Sequence, residues 1–396
     1  MNQGPHARLI SATGPHKLEA LTNHHVRHGE AVAIGIALDA RYSVLAGLLP
    51  EGEDERIVAL LEGLGLRIWH PALESTGSDG RLSILVGLDE FQEHLGGALT
   101  ITLLKGPVAA VKQAVSPDTP FAVGLRFSGQ ALAELEDTAK RRELKELLDE
   151  HGYMGITVNG FPFGPFHGTT VKEDVYQPDW RSVQRVEYTN ALADLMAELA
   201  APKDFVSLST VPGTFKPLGS GAEAQMAENY LLCVAHLVAL RARTGVQVAL
   251  AIEPEPFCFL GTISESIAYF TQYLFSADAA RRLAELAELS EADAADALPR
   301  HLGLCYDVCH AAVEYEDPAA SIKALKDAGI PVHKLQLSAA LRIPQVGPET
   351  RKALRSYQEP TYLHQVNRRH ADGLTMHRDL PDALALGDQT DGEEWR

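Results

Sequence analysis

From about residue 105 onward, short apolar segments alternate with longer segments that carry apolar residues at helical spacing. The pattern predicts strands at FAVGLRFS (121–128), YMGITVNGFP (153–162), FVSLSTVPG (205–213), VQVALAIEPEP (246–256), LGLCYDVCH (302–310), VHKLQLSAAL (332–341) and TYLHQV (361–366). It predicts helices at about 129–150, 181–200, 222–243, 264–275, 278–297, 317–328 and 349–357. Such alternation is typical of a parallel sheet covered by helices.

The predicted strands end in polar clusters, among them NGFPFGPFHG, STVPGTF, EPEP and YDVCH. A parallel barrel collects its chemistry at the carboxyl ends of all its strands. An open doubly wound sheet offers such ends mainly at one switch point. The polar endings therefore favour a barrel, and because no GxGxxG or P-loop follows a strand, NAD is not expected as a cofactor.

The first hundred residues have a different pattern, which predicts mainly helices. KLEALTNHHV, GEAVAIGIALDARYSVLAGLL and DERIVALLEGLGL each carry apolar residues at helical spacing. ALTITLL (98–104) alternates apolar residues with threonines, which predicts a strand that could pair with 121–127. We therefore expect a helical segment at 1–104, followed by a barrel at 105–396.

The net charge of -18 argues against nucleic acid as a partner, because an acidic surface repels phosphates. The chain has no apolar run of about 18 residues, so no membrane span is predicted, and MNQGPHARLI lacks the apolar core of a signal peptide. Four cysteines do not form a disulfide framework, which indicates a reduced, cytoplasmic protein. The sequence leaves open whether the chain forms a homo-oligomer.

Candidate metal ligands follow three consecutive strands. Glu253 lies at the end of one predicted strand and Asp307 at the end of the next strand, with His310 one turn later. Gln336 lies at the end of the strand after that, and His364 lies in the last predicted strand. Two carboxylates and an imidazole at neighbouring strand ends can bind a divalent cation such as Zn or Mn. Taken singly, Asp307 could instead cap a helix and Glu253 could be solvated, and we expect Cys305 and Cys309 to pack rather than to bind metal.

A bound cation would polarise the oxygens of a sugar-like hydroxy-carbonyl compound, the expected small-molecule partner. Such chemistry also needs a group that moves a proton. Glu255, His167 and Lys172 are the candidates, since each lies close to a predicted strand end.

Five segments, NGFPFGPFHGTTVKEDVYQPDW, STVPGTFKP, LAIEPEPF, GLCYDVCH and KLQLSAALR, resemble in this order the metabolite traffic protein EboE family. The resemblance covers roughly 105–396. It implies a xylose isomerase-like TIM barrel, related to sugar phosphate isomerases and epimerases, in a pathway that makes or moves a secreted metabolite. In the wider superfamily a Glu, an Asp, a nearby His and a final Glu bind a divalent metal, and Glu253, Asp307 and His310 match that pattern.

The sequence departs from this family at both ends of the barrel. The polar Cys-Thr-Asn and His-Pro-Gly type segment of the first strand has no counterpart, and ALTITLL occupies its place. The family continues beyond GEEWR with a His-rich strand and an acidic ligand. We therefore expect an incomplete (β/α)8 barrel of the xylose isomerase-like type that lacks its closing ligand.

HKLEALTNHHVRHGEAVAIGIALDARYSVLAGLL is similar to the C-terminal helical domain of 3-dehydroquinate synthase-like sugar phosphate cyclases, over about 14–104. The resemblance implies that His16 and His28 correspond to zinc ligands of that family. The NAD-binding domain and the third ligand of the family have no counterpart, so cyclisation is not expected. A solvated helix face, or an adventitious metal site at His24 and His28, is the alternative.

Three functions follow from these features. The first is a metal-dependent isomerase or epimerase-like protein, and the second is a non-catalytic binder of a small metabolite with NGFPFGPFHG as an apolar wall. The third is a fusion remnant of two joined genes. Whether the chain is an enzyme stays open at the level of the sequence.

Overall fold

The computed structural model describes residues 34, 37, 41, 44, 52–63, 67–75, 108–164, 172–358 and 362–396. The chain divides into two compact units, Met1–Leu95 and Gly96–Arg396. The predicted boundary at 104 and the predicted strand 98–104, with its pairing to 121–127, lie outside the described residues and stay predictions.

The described part of the first unit contains helix α1 (Glu53–Gly63) and a 3-10 turn (Pro71–Glu74). The helix predicted in DERIVALLEGLGL is confirmed. Its apolar side packs Leu61 against Ala37, and Asp54 accepts a hydrogen bond from Arg41 at 2.6 Å. Two of the predicted zinc ligands, His16 and His28, lie outside the described residues.

The second unit is built on a parallel sheet whose six strands follow the order of the chain. These strands are β1 (Phe121–Arg126), β2 (Tyr153–Asn159), β3 (Phe205–Thr210), β4 (Gln247–Ile252), β5 (Leu302–Asp307) and β6 (Val332–Gln336). The helices are α2 (Ala109–Val115), α3 (Gly129–Glu134), α4 (Thr138–His151), α5 (Val183–Leu199), α6 (Glu223–Thr244), α7 (Ile263–Tyr269), α8 (Ala277–Ala287), α9 (Glu291–His301), α10 (Val308–Val313), α11 (Pro318–Asp327), α12 (Pro348–Leu354) and α13 (Leu380–Leu384).

The sheet is wound in one direction and curls into a half-barrel. Each strand pairs with the next one in the chain, whereas a doubly wound sheet reverses its order at a switch point. In a flat sheet β3 and β6 would lie about 14 Å apart. Lys334 in β6 nevertheless donates a hydrogen bond to Ser209 in β3, with 2.9 Å between Nζ and Oγ. The predicted α/β class with barrel-type winding is confirmed to this extent.

The two faces of the sheet differ in chemistry because successive side chains point to opposite sides. The helix-covered face of β4 and β5 carries the buried Leu250, Ile252, Leu302 and Leu304. The concave face carries small or polar side chains, among them Ser209 and Lys334. The apolar face therefore supplies the core, and the polar face is left for chemistry at the strand ends.

The structure corrects several of the predicted boundaries. The strands predicted to end at 128, 162, 213, 256 and 341 end at Arg126, Asn159, Thr210, Ile252 and Gln336. The helices predicted at 129–150 and 278–297 are each two helices, α3 with α4 and α8 with α9. The strand predicted at 302–310 ends at Asp307, because this residue caps α10 and the chain turns into that helix at Val308. His310 and Cys309 therefore lie on a helix.

The prediction of a last barrel strand at TYLHQV (361–366) is wrong. Residues 362–365 form no strand, and Val366 begins β7 (Val366–His370) of an antiparallel sheet with β8 (Gly373–His377) and β9 (Glu394–Trp395). The hydrophobic core of this C-terminal part includes Val346, Val366, Leu380 and Trp395. Among the described residues, no helix is both long and apolar enough to cross a membrane.

Candidate functional site

Three polar side chains meet at the carboxyl ends of β4, β5 and β6. The amide nitrogen Nε2 of Gln336 donates hydrogen bonds to Glu253 Oε1 at 2.6 Å and to Asp307 Oδ2 at 2.7 Å. His310 lies beside these three side chains, with 3.9 Å between its Nδ1 and Glu253 Oε1. The structure therefore brings four predicted metal ligands together. We call Glu253, Asp307, His310 and Gln336 the strand-end cluster.

Asp307 both belongs to this cluster and caps a helix. Its Oδ1 accepts a hydrogen bond from the backbone N–H of Cys309 at 2.9 Å and another from the hydroxyl of Ser338. Burial raises its pKa, but His310 and the hydrogen bonds from Ser338 and Cys309 outweigh burial and lower the pKa below its usual value. Since a carboxylate has about four lone-pair sites, capping leaves Asp307 with capacity for a further ligand.

Glu253 is the least satisfied member of the cluster. Its side chain is 5% exposed, and its second oxygen, Oε2, has no hydrogen-bond partner among the described residues. Burial raises its pKa, and the neighbouring carboxylates of Glu255 and Asp307 raise it further against the effect of His310. A buried carboxylate oxygen without a partner costs about 1–3 kcal/mol, so this atom fits a position that normally faces a cation or a substrate hydroxyl.

His310 is oriented by the backbone that follows β4. Its Nδ1 lies 3.0 Å from the carbonyl oxygen of Pro254, which fixes Nδ1–H as the donor. Nε2 then carries the lone pair of the neutral ring. Burial lowers the pKa of His310, but the carboxylates of Glu255, Glu253 and Asp307 outweigh it and raise the pKa.

Cys309 adds a sulfur atom beside the cluster. Ligand atoms of Asp307, Cys309 and His310 all lie within 4.8 Å of one another. Burial raises the pKa of the Cys309 thiol to about 12, so the group is a thiol at neutral pH unless a cation displaces its proton. Cys305, on the concave face of β5, is fully buried, and burial raises its pKa as well.

A cavity of about 270 Å³ opens beside the strand-end cluster. Its charged and polar lining includes Arg126, Asn159, Lys172, Glu253, Glu255 and His310, and the rest of its wall is formed by Phe161, Pro162, Val175, Tyr176, Tyr362 and Leu363. We call it the polar cavity. Glu255, a predicted proton-moving residue, is held there by Tyr176 Oη and by Gln365 Nε2, each 2.8 Å from its Oε1. Glu255 therefore shares the cavity with two predicted metal ligands.

Lys172 lines the same cavity, and its amine is engaged with the C-terminal segment. Its Nζ lies 2.7 Å from Asp379 Oδ2 and 2.6 Å from the carbonyl oxygen of Tyr362. His167 lies outside the described residues. His364 does not join the cluster at a strand end, because residues 362–365 form no strand; its backbone N–H donates to Asp379.

Four residues around the cavity were not predicted as site residues: Arg126, Asn159, Tyr176 and Gln365. Arg126 and Asn159 are the last residues of β1 and β2, so the rule that led to Glu253 also applies to them. Tyr176 lies in a 3-10 turn (Lys172–Tyr176) and Gln365 in an irregular segment. Neither position has a periodic signal in the sequence.

Donor atoms that suit a divalent cation lie at these strand ends. Among the described residues, Asp307, Cys309 and His310 have ligand atoms close enough together to hold one ion, so Cys309, which was expected only to pack, joins the candidate ligands. The unpartnered Oε2 of the neighbouring Glu253 is a further donor atom of a type that Zn and Mn accept. Gln336 would have to turn its amide oxygen toward the cation, because its nitrogen now donates to both carboxylates.

Comparison with known proteins gives a family match at the N-terminal end. Residues 12–81 match the model for the 3-dehydroquinate synthase C-terminal domain. The 3-dehydroquinate synthase of Halorhodospira halophila is 37% identical over 103 residues, which cover 26% of this chain and 27% of that protein. The chain thus spans about a quarter of the length of this curated relative. His16 and His28 both fall inside the matched segment.

Two solved structures are similar to a larger part of the chain. A D-tagatose 3-epimerase-like protein covers 56% of this chain and 69% of its own, with 17% identity and a TM-score of 0.34. An IOLI protein with a binding zinc atom covers 61% and 68%, with 12% identity and a TM-score of 0.35. At these scores the similarity assigns neither a substrate nor a metal to this chain.

Proposed function

We propose that this chain is an isomerase or epimerase-type protein that holds a divalent cation and acts on a polyhydroxylated, sugar-like substrate. The cation would be held by Glu253, Asp307 and His310, with Gln336 as a further neutral donor. In line with the resemblance to EboE, the substrate would belong to the biosynthesis or traffic of a secreted metabolite. The single observation that carries the proposal is the buried Glu253 Oε2, which has no partner among the described residues.

The cation would supply polarisation of a carbonyl or hydroxyl oxygen of the substrate. Glu255 is the residue that we expect to move a proton at the adjacent carbon. It lines the polar cavity together with Glu253 and His310, and hydrogen bonds from Tyr176 and Gln365 fix its orientation. A carboxylate held in this way is a group that can take up a proton from the adjacent carbon.

A second candidate function, a binder without catalysis, is favoured by Gln336. Its amide nitrogen satisfies Glu253 and Asp307 at the same time, so the two carboxylates can coexist without a metal. In that case the polar cavity would bind the hydroxyl groups of a metabolite without converting the metabolite into a product.

Solvent exchange separates catalysis from binding. The protein is incubated with Mn²⁺ and a panel of 2-ketohexoses in D2O, and loss of the proton next to the carbonyl is followed by NMR. An isomerase that works by proton transfer exchanges this proton, and Glu255→Gln should lower the rate at least about 100-fold while the cation still binds. An isomerase that works by hydride transfer converts the ketose without exchange, so binding of ketoses with neither exchange nor conversion would contradict catalysis and support the binder.

A third candidate, a fusion remnant with part of a cyclase, rests on the match of residues 12–81 to about a quarter of a 3-dehydroquinate synthase. Such a remnant would expose unpaired sheet edges and associate nonspecifically. Light scattering together with thermal unfolding tests it. A monodisperse, cooperatively melting chain speaks against a remnant, and a soluble aggregate supports it.

A further inference from the structure

A second cavity, also of about 270 Å³, adjoins the polar cavity and differs from it in chemistry. Its wall is mainly apolar and includes Ala340, Leu341, Ile343, Leu354, Leu380 and Trp395. We call it the apolar cavity. Its lining comes from the segment after β6, from α12, and from the small antiparallel sheet with the adjacent α13.

The two cavities share His310 and Leu363 as lining residues. Gln365 connects them as well, because it lines the apolar cavity while its Nε2 donates to Glu255 in the polar cavity at 2.8 Å. A ligand whose polar groups reach Glu253 and Glu255 therefore needs to extend only past His310 to contact the apolar wall.

The volumes allow one ligand to use both cavities. Pockets for small molecules have volumes of about 300–1,000 Å³. Each cavity, at about 270 Å³, lies near the lower limit of this range, and the two adjoining cavities together lie within it. Leu341 and Tyr357 at the apolar cavity are 53% and 50% exposed, so apolar surface remains there for a ligand to cover.

We propose that the substrate joins a hydroxylated head, bound in the polar cavity, to an apolar group that occupies the apolar cavity. The apolar group has the size of one aromatic ring or a short alkyl chain. This inference rests on the proposed function for the location of the head, and it names the substrate class as an amphipathic polyol rather than a free sugar.

The test uses 1,2-alkanediols, whose vicinal hydroxyls represent the head and whose chain represents the apolar group. Dissociation constants of propane-, pentane- and heptane-1,2-diol are measured by ligand-observed NMR with Mn-free protein. Burial of each methylene should tighten binding about fourfold in the wild type. Equal affinity for all three diols, or no binding of heptane-1,2-diol, would overturn the inference.

Two neighbouring alanines give a matched pair of variants. Ala340→Phe places a ring in the apolar cavity, whereas Ala339 is exposed and does not line it. We expect Ala340→Phe to abolish the gain with chain length and Ala339→Phe to retain it, with unchanged circular dichroism and melting temperature in both. A gain that persists in Ala340→Phe would show that the chain binds elsewhere and would refute the assignment.

These outcomes separate the inference from the proposed function. If Mn²⁺ binds the strand-end cluster but affinity does not grow with chain length, the proposed function stands and the apolar subsite fails. If affinity grows with chain length and is lost in Ala340→Phe while no cation binds, the subsite stands and the metal-dependent function fails.

Discussion

Glu314 should make the stability of the second unit depend on pH in the neutral range. This side chain follows α10, is 8% exposed, and accepts one hydrogen bond from Asn367 Nδ2 in β7 at 2.8 Å. Burial raises its pKa to about 7, with Glu265 and Glu316 contributing in the same direction. We expect Glu314→Gln to remove this dependence, because the amide resembles the protonated carboxyl group.

The direction of this pH dependence of stability follows from proton linkage. The folded chain binds the proton of Glu314 more tightly than the unfolded chain, whose pKa is the ordinary 4.5. The favourable contribution is fully present below pH 4.5 and is lost as the pH rises through about 7. The difference between these two pKa values corresponds to about 3 kcal/mol in total, most of it lost between pH 5 and pH 8.

Denaturant unfolding at pH 5 and pH 8 measures this contribution. Wild type and Glu314→Gln should have nearly equal free energies of unfolding at pH 5, and the variant should be more stable by about 2–3 kcal/mol at pH 8. Glu349→Gln, at an exposed glutamate, is the control and should follow the wild type. A wild-type-to-variant difference that is the same at both pH values would contradict a raised pKa of Glu314 in the folded chain.

Three further predictions concern residues around the site. Arg185→Met should lower the free energy of unfolding by about 3 kcal/mol or more, measured by urea unfolding, because the fully buried Arg185 donates to three carbonyl groups, one buried and two partly buried, that would lose this donor. Lys172→Met should cost about 1–3 kcal/mol by the same assay, since it removes the cation paired with the buried carboxylate of Asp379, whereas the exposed control Arg378→Met should cost less than about 0.5 kcal/mol. Gln336→Leu should lower the melting temperature of the metal-free protein in scanning calorimetry, and saturating Mn²⁺ should restore it. A metal-free variant that melts like the wild type would contradict the role of the Gln336 amide.

The strands of the half-barrel could be predicted from the sequence because each is a short apolar run between helical segments. β4 and β5 illustrate this, since ALAI and LGLC are buried on both faces of the sheet. The strand-end rule then placed Glu253, Asp307 and Gln336 close together, as a parallel sheet requires.

The C-terminal sheet could not be predicted in the same way. β7 and β8 read NRRHADGLTMH, with charged residues on both faces, so no alternation of apolar residues marks them as strands. The Asp-Gly pair was the available signal. Ala371 and Asp372 form the turn, and Gly373, which begins β8 opposite His370, has a positive φ of 132° that favours glycine. TYLHQV was more apolar and was predicted as a strand instead.

The contacts that hold Glu255 could not be predicted from the sequence, because they join segments that lie far apart in the chain. The hydrogen bonds that hold Glu255 come from Tyr176 and Gln365, which are 79 and 110 residues away in the chain. Their positions depend on how a 3-10 turn and an irregular segment pack over the strand ends. Local propensity carries no information about such packing.

Cation binding to the strand-end cluster is the most direct test of the account. Chelator-treated wild type, Glu253→Gln and the control Glu316→Gln are titrated with Mn²⁺ and Zn²⁺ by calorimetry, and the bound metal is quantified. Glu316 is a suitable control, because it is a half-buried carboxylate that accepts a backbone hydrogen bond from Ile263 away from the cluster. We expect about one equivalent of metal in the wild type and in Glu316→Gln, with at least about 100-fold weaker binding in Glu253→Gln. Absence of binding in the wild type, or equal binding in Glu253→Gln, would contradict this expectation.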